Sequence, residues 1–178
     1  MSILLVINLY GGPGTGKSTI AAGIFSALKL KGINVELVTE YAKDKVWDKH
    51  EAILDNQIYI FAKQYHRLHR LRDQVDVVIT DSPILLSSIY NKDRTALGTK
   101  LDELVLEAYK SFDNINYFLT RIREYNPKGR VQTEDEAKEV DIKVKELLNN
   151  LNMIYESQKG SKEGMENIIN EVLNYFLF

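Results

Sequence analysis

A chain of 178 residues, 44% hydrophobic and 27% charged, has the length and composition of one folded domain with a proper core, and these values exclude a disordered chain. It contains no cysteine, which excludes disulfide scaffolds, thiolate zinc sites and cysteine nucleophiles, and its three histidines, at 50, 66 and 69, are too scattered for a histidine metal cluster. Net charge is −2, and the longest apolar stretch, residues 3–9, is broken by Asn8, far short of a membrane span and without the basic flank of a secretion signal. The expected setting is therefore the cytoplasm, with no membrane partner.

In chain order, residues 3–9 form a continuous β-favouring run leading into glycines, the pattern of a strand buried on both faces. A helix is expected over 17–30, stopped by Gly32. A second strand covers 35–39. Leu54, Ile58, Phe61, Tyr65 and Leu68 recur at helical spacing and predict one long helix ending near Asp73. Residues 75–80 give a third strand, and Pro83 suits the first turn of the next helix. Leu101, Leu104, Val105, Ala108 and Phe112 stripe a further helix, and 115–119 read as a fourth strand. After the turn at Asn126-Pro127-Lys128-Gly129, Thr133 and Glu136 have the spacing of a capping box. A short fifth strand is expected at 152–156, and a last helix from about 162 turns Ile168, Ile169, Val172, Leu173 and Phe176 inward. Alternating strands and helices call for a three-layer α/β fold, a mainly parallel five-stranded sheet with helices on both faces.

Gly11-Gly12-Pro13-Gly14-Thr15-Gly16-Lys17-Ser18 matches G-x-x-x-x-G-K-[ST] in full, between a strand and a helix, which is the context the motif requires. Such a loop aims backbone N–H groups at phosphates, and the helix that follows adds its own unpaired N–H groups and dipole. Gly12, Pro13, Gly14, Thr15, Gly16, Lys17, Ser18 and Thr19 are thus the expected ATP-binding residues. In this reading Lys17 bridges the β- and γ-phosphates and the Ser18 hydroxyl ligates Mg2+. Val77-Val78-Ile79-Thr80-Asp81 ends in a carboxylate at the same sheet edge. Asp81 is expected to hold the magnesium or to take a proton from an acceptor. Its alternative role is to N-cap the helix after Pro83.

Three classes share such a loop. A guanine-reading GTPase needs Asn-Lys-x-Asp, and Asn91-Lys92-Asp93-Arg94 places the acid one residue early. A motor or AAA-type ATPase usually adds a helical lid domain and arginine fingers, for which the chain has little room. A P-loop ATPase acting as a switch or motor stays as the alternative. A kinase needs a carboxylate near the acceptor hydroxyl, and Glu40 closes the second strand at the right edge. It also needs an arginine-bearing lid, and Arg121, Arg123 and Arg130 surround the Pro-Gly turn within 121–133.

The phosphate loop, Thr39-Glu40-Tyr41-Ala42, the Gln57 helix, Ile79-Thr80-Asp81-Ser82-Pro83 and the Arg121 to Arg130 segment together resemble the ribosylnicotinamide-kinase-like P-loop family. That family includes bacterial enzymes of NAD salvage and bacteriophage-encoded relatives, some of which phosphorylate hydroxymethylated pyrimidines in DNA. The layout is also similar to deoxynucleoside kinases. The resemblance implies an ATP- and Mg2+-dependent kinase with Glu40 as general base and Gln57 reading a nucleobase. Asp81-Ser82-Pro83 departs from the acid-Arg-Ser motif of deoxynucleoside kinases, which leaves open how Glu40 and Asp81 divide the work. The acceptor is a free nucleoside or nucleotide, or a modified base in DNA, in a bacterial cytoplasm or a phage's host. Residues 41–72 carry seven Lys/Arg against four acids, with five of the aromatics. Tyr41 and Trp47 are expected either to stack an acceptor base or, equally, to pack under the loop that joins the second strand to the long helix, and Arg67 and Arg70 to meet acceptor phosphates. A solvated helix stripe is the plainer alternative for the two arginines.

Overall fold

A computed structural model describes residues 3–122 and 133–176. Five strands, β1 (Leu5–Tyr10), β2 (Val35–Val38), β3 (Val77–Thr80), β4 (Asp113–Thr120) and β5 (Glu156–Lys159), form one sheet in the order β2-β3-β1-β4-β5. Every pairing is parallel, so the sheet is all-parallel where the sequence predicts a mainly parallel one. The helices are α1 (Lys17–Leu30), α2 (Tyr41–Trp47), α3 (Gln57–His69), α4 (Leu86–Tyr90), α5 (Ala96–Lys110), α6 (Glu134–Asn150) and α7 (Lys162–Tyr175), with a 3-10 turn at Glu51–Asp55.

Period-2 alternation divides the core into two layers. Leu5, Ile7 and Leu9 of β1 meet Ile20, Ile24 and Leu28 of α1 and Ile168 and Val172 of α7. Val6 and Tyr10 face the other way, toward Phe61 and Leu68 of α3, Leu101 and Val105 of α5, and Val140, Val144 and Leu148 of α6. Asn8 shares that second face, where its amide donates to Asn114 (2.9 Å) and Asn116 (3.2 Å), so its polarity is satisfied inside the core.

Local signals set the helix ends. Gly32, at φ 80°, lets the chain turn back so that the Ile33 N–H reaches the Leu28 carbonyl at 3.1 Å. At the start of α6 the Thr133 hydroxyl accepts the Glu136 N–H while the Glu136 carboxylate accepts the Thr133 N–H, the expected reciprocal cap.

Four expectations are corrected. The fifth strand lies at Glu156–Lys159 instead of 152–156; it is a polar edge strand with little apolar pattern to mark it. The chain between β2 and the long helix folds as α2 and a 3-10 turn. Because α3 begins only at Gln57, its core face is Ile60, Phe61, Gln64 and Leu68, and Ile58 is 46% exposed. On α5 and α7, Leu104 and Phe176 are exposed, and Tyr109 takes the inward place on α5. Among the described residues no helix is long and apolar enough to cross a membrane.

Candidate active site

The site is built where β1, β2 and β3 end. Gly16 precedes α1 at φ 95°, a left-handed conformation open to glycine, and no side chain caps the helix. No acid occupies its first turn, so the free N–H groups and positive dipole end face the cleft. Ser18 and Thr19 are exposed there, and the Thr15 hydroxyl closes the loop on the Gly12 carbonyl at 3.0 Å. The Lys17 ammonium donates to the carbonyls of Gly11 (2.6 Å) and Gly12 (3.0 Å), folding over the loop's own backbone. Burial pulls its pKa down, while Glu40, Asp81 and Asp141 pull it back up.

Asp81 leaves β3 only 3% exposed, and its Oδ1 is buried with no hydrogen-bond partner. The N-cap role fails, because the Ser82 N–H bonds to the Thr80 hydroxyl at 3.1 Å and α4 starts only at Leu86. A bare carboxylate oxygen sharing a cleft with the exposed Ser18 hydroxyl suits a hard divalent cation, which takes oxygen ligands. Glu40 stands at the start of α2 without making a capping bond. Burial raises its pKa above the ordinary carboxylate value, Lys17 opposes the shift, and Asp81 adds to it.

Both carboxylates line one cleft of about 510 Å³ with Gly11, Pro13, Gly14, Gly16, Lys17, Ser18 and Thr19 of the phosphate loop, whereas Gly12 and Thr15 are buried and do not line it. Val46, Trp47, Leu54, Ile60 and Leu86 also line this cleft, as does Gln57 with its side-chain amide. That amide donates to the Leu54 carbonyl at 2.7 Å. Among the lining residues that sequence reasoning missed are Lys43, Asp55, Gln64, Ser87, Tyr90 and Lys92. Gln64 is buried, accepts the Tyr41 N–H at 2.9 Å and donates to the Thr39 carbonyl at 3.3 Å, tying α2 to α3. Burial, followed by the charges of Glu40 and Asp141, pushes the Tyr90 phenol well up.

Tyr41, Arg67 and Arg70 do not line the cleft. The Tyr41 hydroxyl donates to that of Tyr59 at 2.9 Å, and its ring lies 5.3 Å from the Arg67 guanidinium. Arg67 donates to the Thr39 carbonyl at 3.0 Å and pairs with Asp44. Arg70 is the exposed C-cap of α3. Arg72 stacks 4.1 Å from the Phe112 ring, and Lys45 pairs with Asp48 at 2.6 Å. Much of the basic excess thus holds the segment together instead of facing the cleft.

Arg121 follows β4 and donates to the Pro13 carbonyl (2.6 Å) and to Asp141 (2.8 Å), while the second oxygen of Asp141 accepts the Gly12 N–H. Asp141 gave no sequence signal, since it lies on α6, 129 residues from its loop partner. Arg123 and Arg130, with most of the expected lid, lie outside the described residues.

A glycine-rich loop between the first strand and an uncapped helix, with a carboxylate on the adjacent strand of a parallel sheet, defines a P-loop α/β protein. A family model described as an AAA domain, AAA_28, matches residues 6–163, and the chain belongs to that family. A comparison with curated proteins found no match. Among solved structures, the fold is similar to deoxyadenosine kinase from M. mycoides bound to dCMP and dCDP, at TM-score 0.60 and 18% identity, covering 95% of this chain and 99% of that one. The same enzyme with dATP bound matches at TM-score 0.60 and 22% identity, over 94% and 98% of the two chains.

Proposed function

We propose that the protein is a kinase that moves the γ-phosphate of ATP to a hydroxyl of a nucleoside-like acceptor. The observation that carries this reading is one cleft lined both by the phosphate loop and by a half-buried carboxylate, Glu40, with Trp47 and Gln57 on the same lining. The acceptor oxygen forms the new P–O bond, the bond from the γ-phosphorus to the β–γ bridging oxygen breaks, and ADP leaves. The acceptor proton goes to Glu40, whose raised pKa brings it nearer the range in which a general base works well. Lys17 and the N–H groups of the loop hold the phosphates in place, and positioning with charge neutralisation supplies most of the catalysis. Asp81 and Ser18 would hold Mg2+, whose charge offsets that of the phosphates when it is bound. Trp47 and Gln57 face the acceptor base in this reading.

The likeness to deoxyadenosine kinase over nearly the whole of both chains supports this reading, as does the resemblance to ribosylnicotinamide-kinase-like enzymes. The acceptor class spans free nucleosides, nucleotides and hydroxymethylated pyrimidines in DNA. The family's AAA description favours a second reading, a nucleotide hydrolase acting as a switch or motor. The deciding experiment offers γ-labelled ATP with magnesium to a panel of nucleosides, nucleotides and hydroxymethylated DNA. Label on any acceptor supports the kinase, and release of phosphate alone selects the hydrolase.

A further inference from the structure

The phosphate loop is held partly from outside itself. Gly11, Gly12, Thr15 and Lys17 bond among themselves, but the Gly12 N–H and the Pro13 carbonyl point away from that internal set. Both are taken by one ion pair. Asp141 accepts the Gly12 N–H on one oxygen and Arg121 on the other, and a second guanidinium nitrogen reaches the Pro13 carbonyl. The pair is well shielded, with side chains only 14% and 21% exposed, so it lacks the solvent screening that weakens surface pairs. Helix α6 also backs directly onto the loop, since a methyl group on Gly12 would lie 2.3 Å from the Ala137 carbonyl.

The charges constrain what this arrangement does. A lone carboxylate at the base of a phosphate site would repel the ligand. Paired with Arg121, Asp141 keeps its hydrogen bond to the loop while its charge is balanced. Arg121 in turn has two of its nitrogens committed to loop and helix, unlike a lid arginine that swings onto the transferred group.

We propose that Arg121 and Asp141 act as a single positioning unit that sets the first turn of the phosphate loop for nucleotide binding, an inference that rests on the reading of this loop as the nucleotide site. Neither residue needs to touch the reacting atoms. Each loses its purpose without the other, so their contributions to ATP affinity are shared.

The test uses Arg121→Gln, Asp141→Ala, the double variant and the conservative Asp141→Asn. Hydrogen exchange of the Gly12 amide is read by NMR in the free protein, and the Kd for ATP by calorimetry. The expected result is a Gly12 amide protected in the wild type and released in Asp141→Ala, with partial protection in Asp141→Asn, which keeps a neutral acceptor. Each single variant should weaken ATP on the order of tenfold, and the double variant no more than the worse single, the pattern of groups in direct contact. In transfer assays the KM for ATP should rise while the KM for the acceptor stays. A wild type that binds neither ATP nor GTP would sink the kinase reading, yet Gly12 exchange would still decide the clamp. Unchanged Gly12 exchange in Asp141→Ala overturns the clamp, as does an Arg121→Gln variant that loses kcat at unchanged ATP affinity while Asp141→Ala is silent.

Discussion

Replacing Glu40 by glutamine separates catalysis from stability at one side chain. Glutamine keeps the shape but cannot take a proton, so loss of a general base should cut transfer by about 10²–10⁴-fold. At 1.36 kcal/mol per tenfold, that is about 2.7–5.4 kcal/mol of transition-state stabilisation. Nucleotide affinity should hold, because Lys17 bonds to the loop carbonyls and not to Glu40. Stability should move the opposite way. The folded state raises the Glu40 pKa, so this group's contribution is fully present below its ordinary value of 4.5 and is lost as pH climbs through the raised value. Glutamine never ionises and carries no such penalty. Melting curves of the two proteins should therefore coincide near pH 4, and the variant should melt higher at pH 8. The assay is label transfer at saturating ATP, beside melting scans across pH. Transfer within fivefold of wild type would remove Glu40 from proton transfer, and a variant that melts lower at pH 8 would refute the burial argument.

Asp81→Asn should weaken the magnesium dependence of ATP binding while leaving magnesium-free binding unchanged, read by titration with and without chelator; equal loss in both would deny Asp81 a cation role. Thr133→Ala removes one half of the cap of α6 and should lower Tm by about 2–4 °C, the effect of a typical cap in a chain of this size. Arg67→Ala should loosen α2, because its bonds run to Thr39 and Asp44, and should weaken any acceptor without changing the salt dependence of binding. If the acceptor is DNA and the log–log salt slope falls by roughly 0.7–0.9, Arg67 contacts a phosphate instead.

The parts of this molecule that were legible in its sequence are those whose signal is local and redundant. β1 and β3 are buried on both faces, so their apolar runs stand out, and the phosphate loop is marked by glycines at fixed spacing. Thr133 with Glu136 and Gly32 announced helix ends, because caps act within a few residues. What was hidden depends on partners far along the chain. α2 buries none of its own residues and shows no periodic face. The Asn56 break ahead of α3 rotates the phase of its apolar stripe, which turned Ile58 outward and concealed Gln64. β5 is a polar edge strand, so neither length nor hydrophobicity betrays it. At the site, the placing of Glu40 and Asp81 on one cleft was readable because strand ends converge on one edge. Charge alone pointed to Arg67, but charge does not say whether an arginine faces a ligand or a neighbouring aspartate.

Trp47 is the sole tryptophan of the chain, and it stands 63% exposed on the wall of the cleft that Glu40 also lines. No second indole dilutes its emission. Solvent relaxation around so open a ring sets its fluorescence, and any molecule that displaces water from it changes that fluorescence directly. In the kinase proposed above, a nucleotide held at the phosphate loop and an acceptor held against Trp47 would leave different optical signatures. The order in which two such substrates entered would then be accessible by stopped-flow mixing of the unlabelled, unmodified protein.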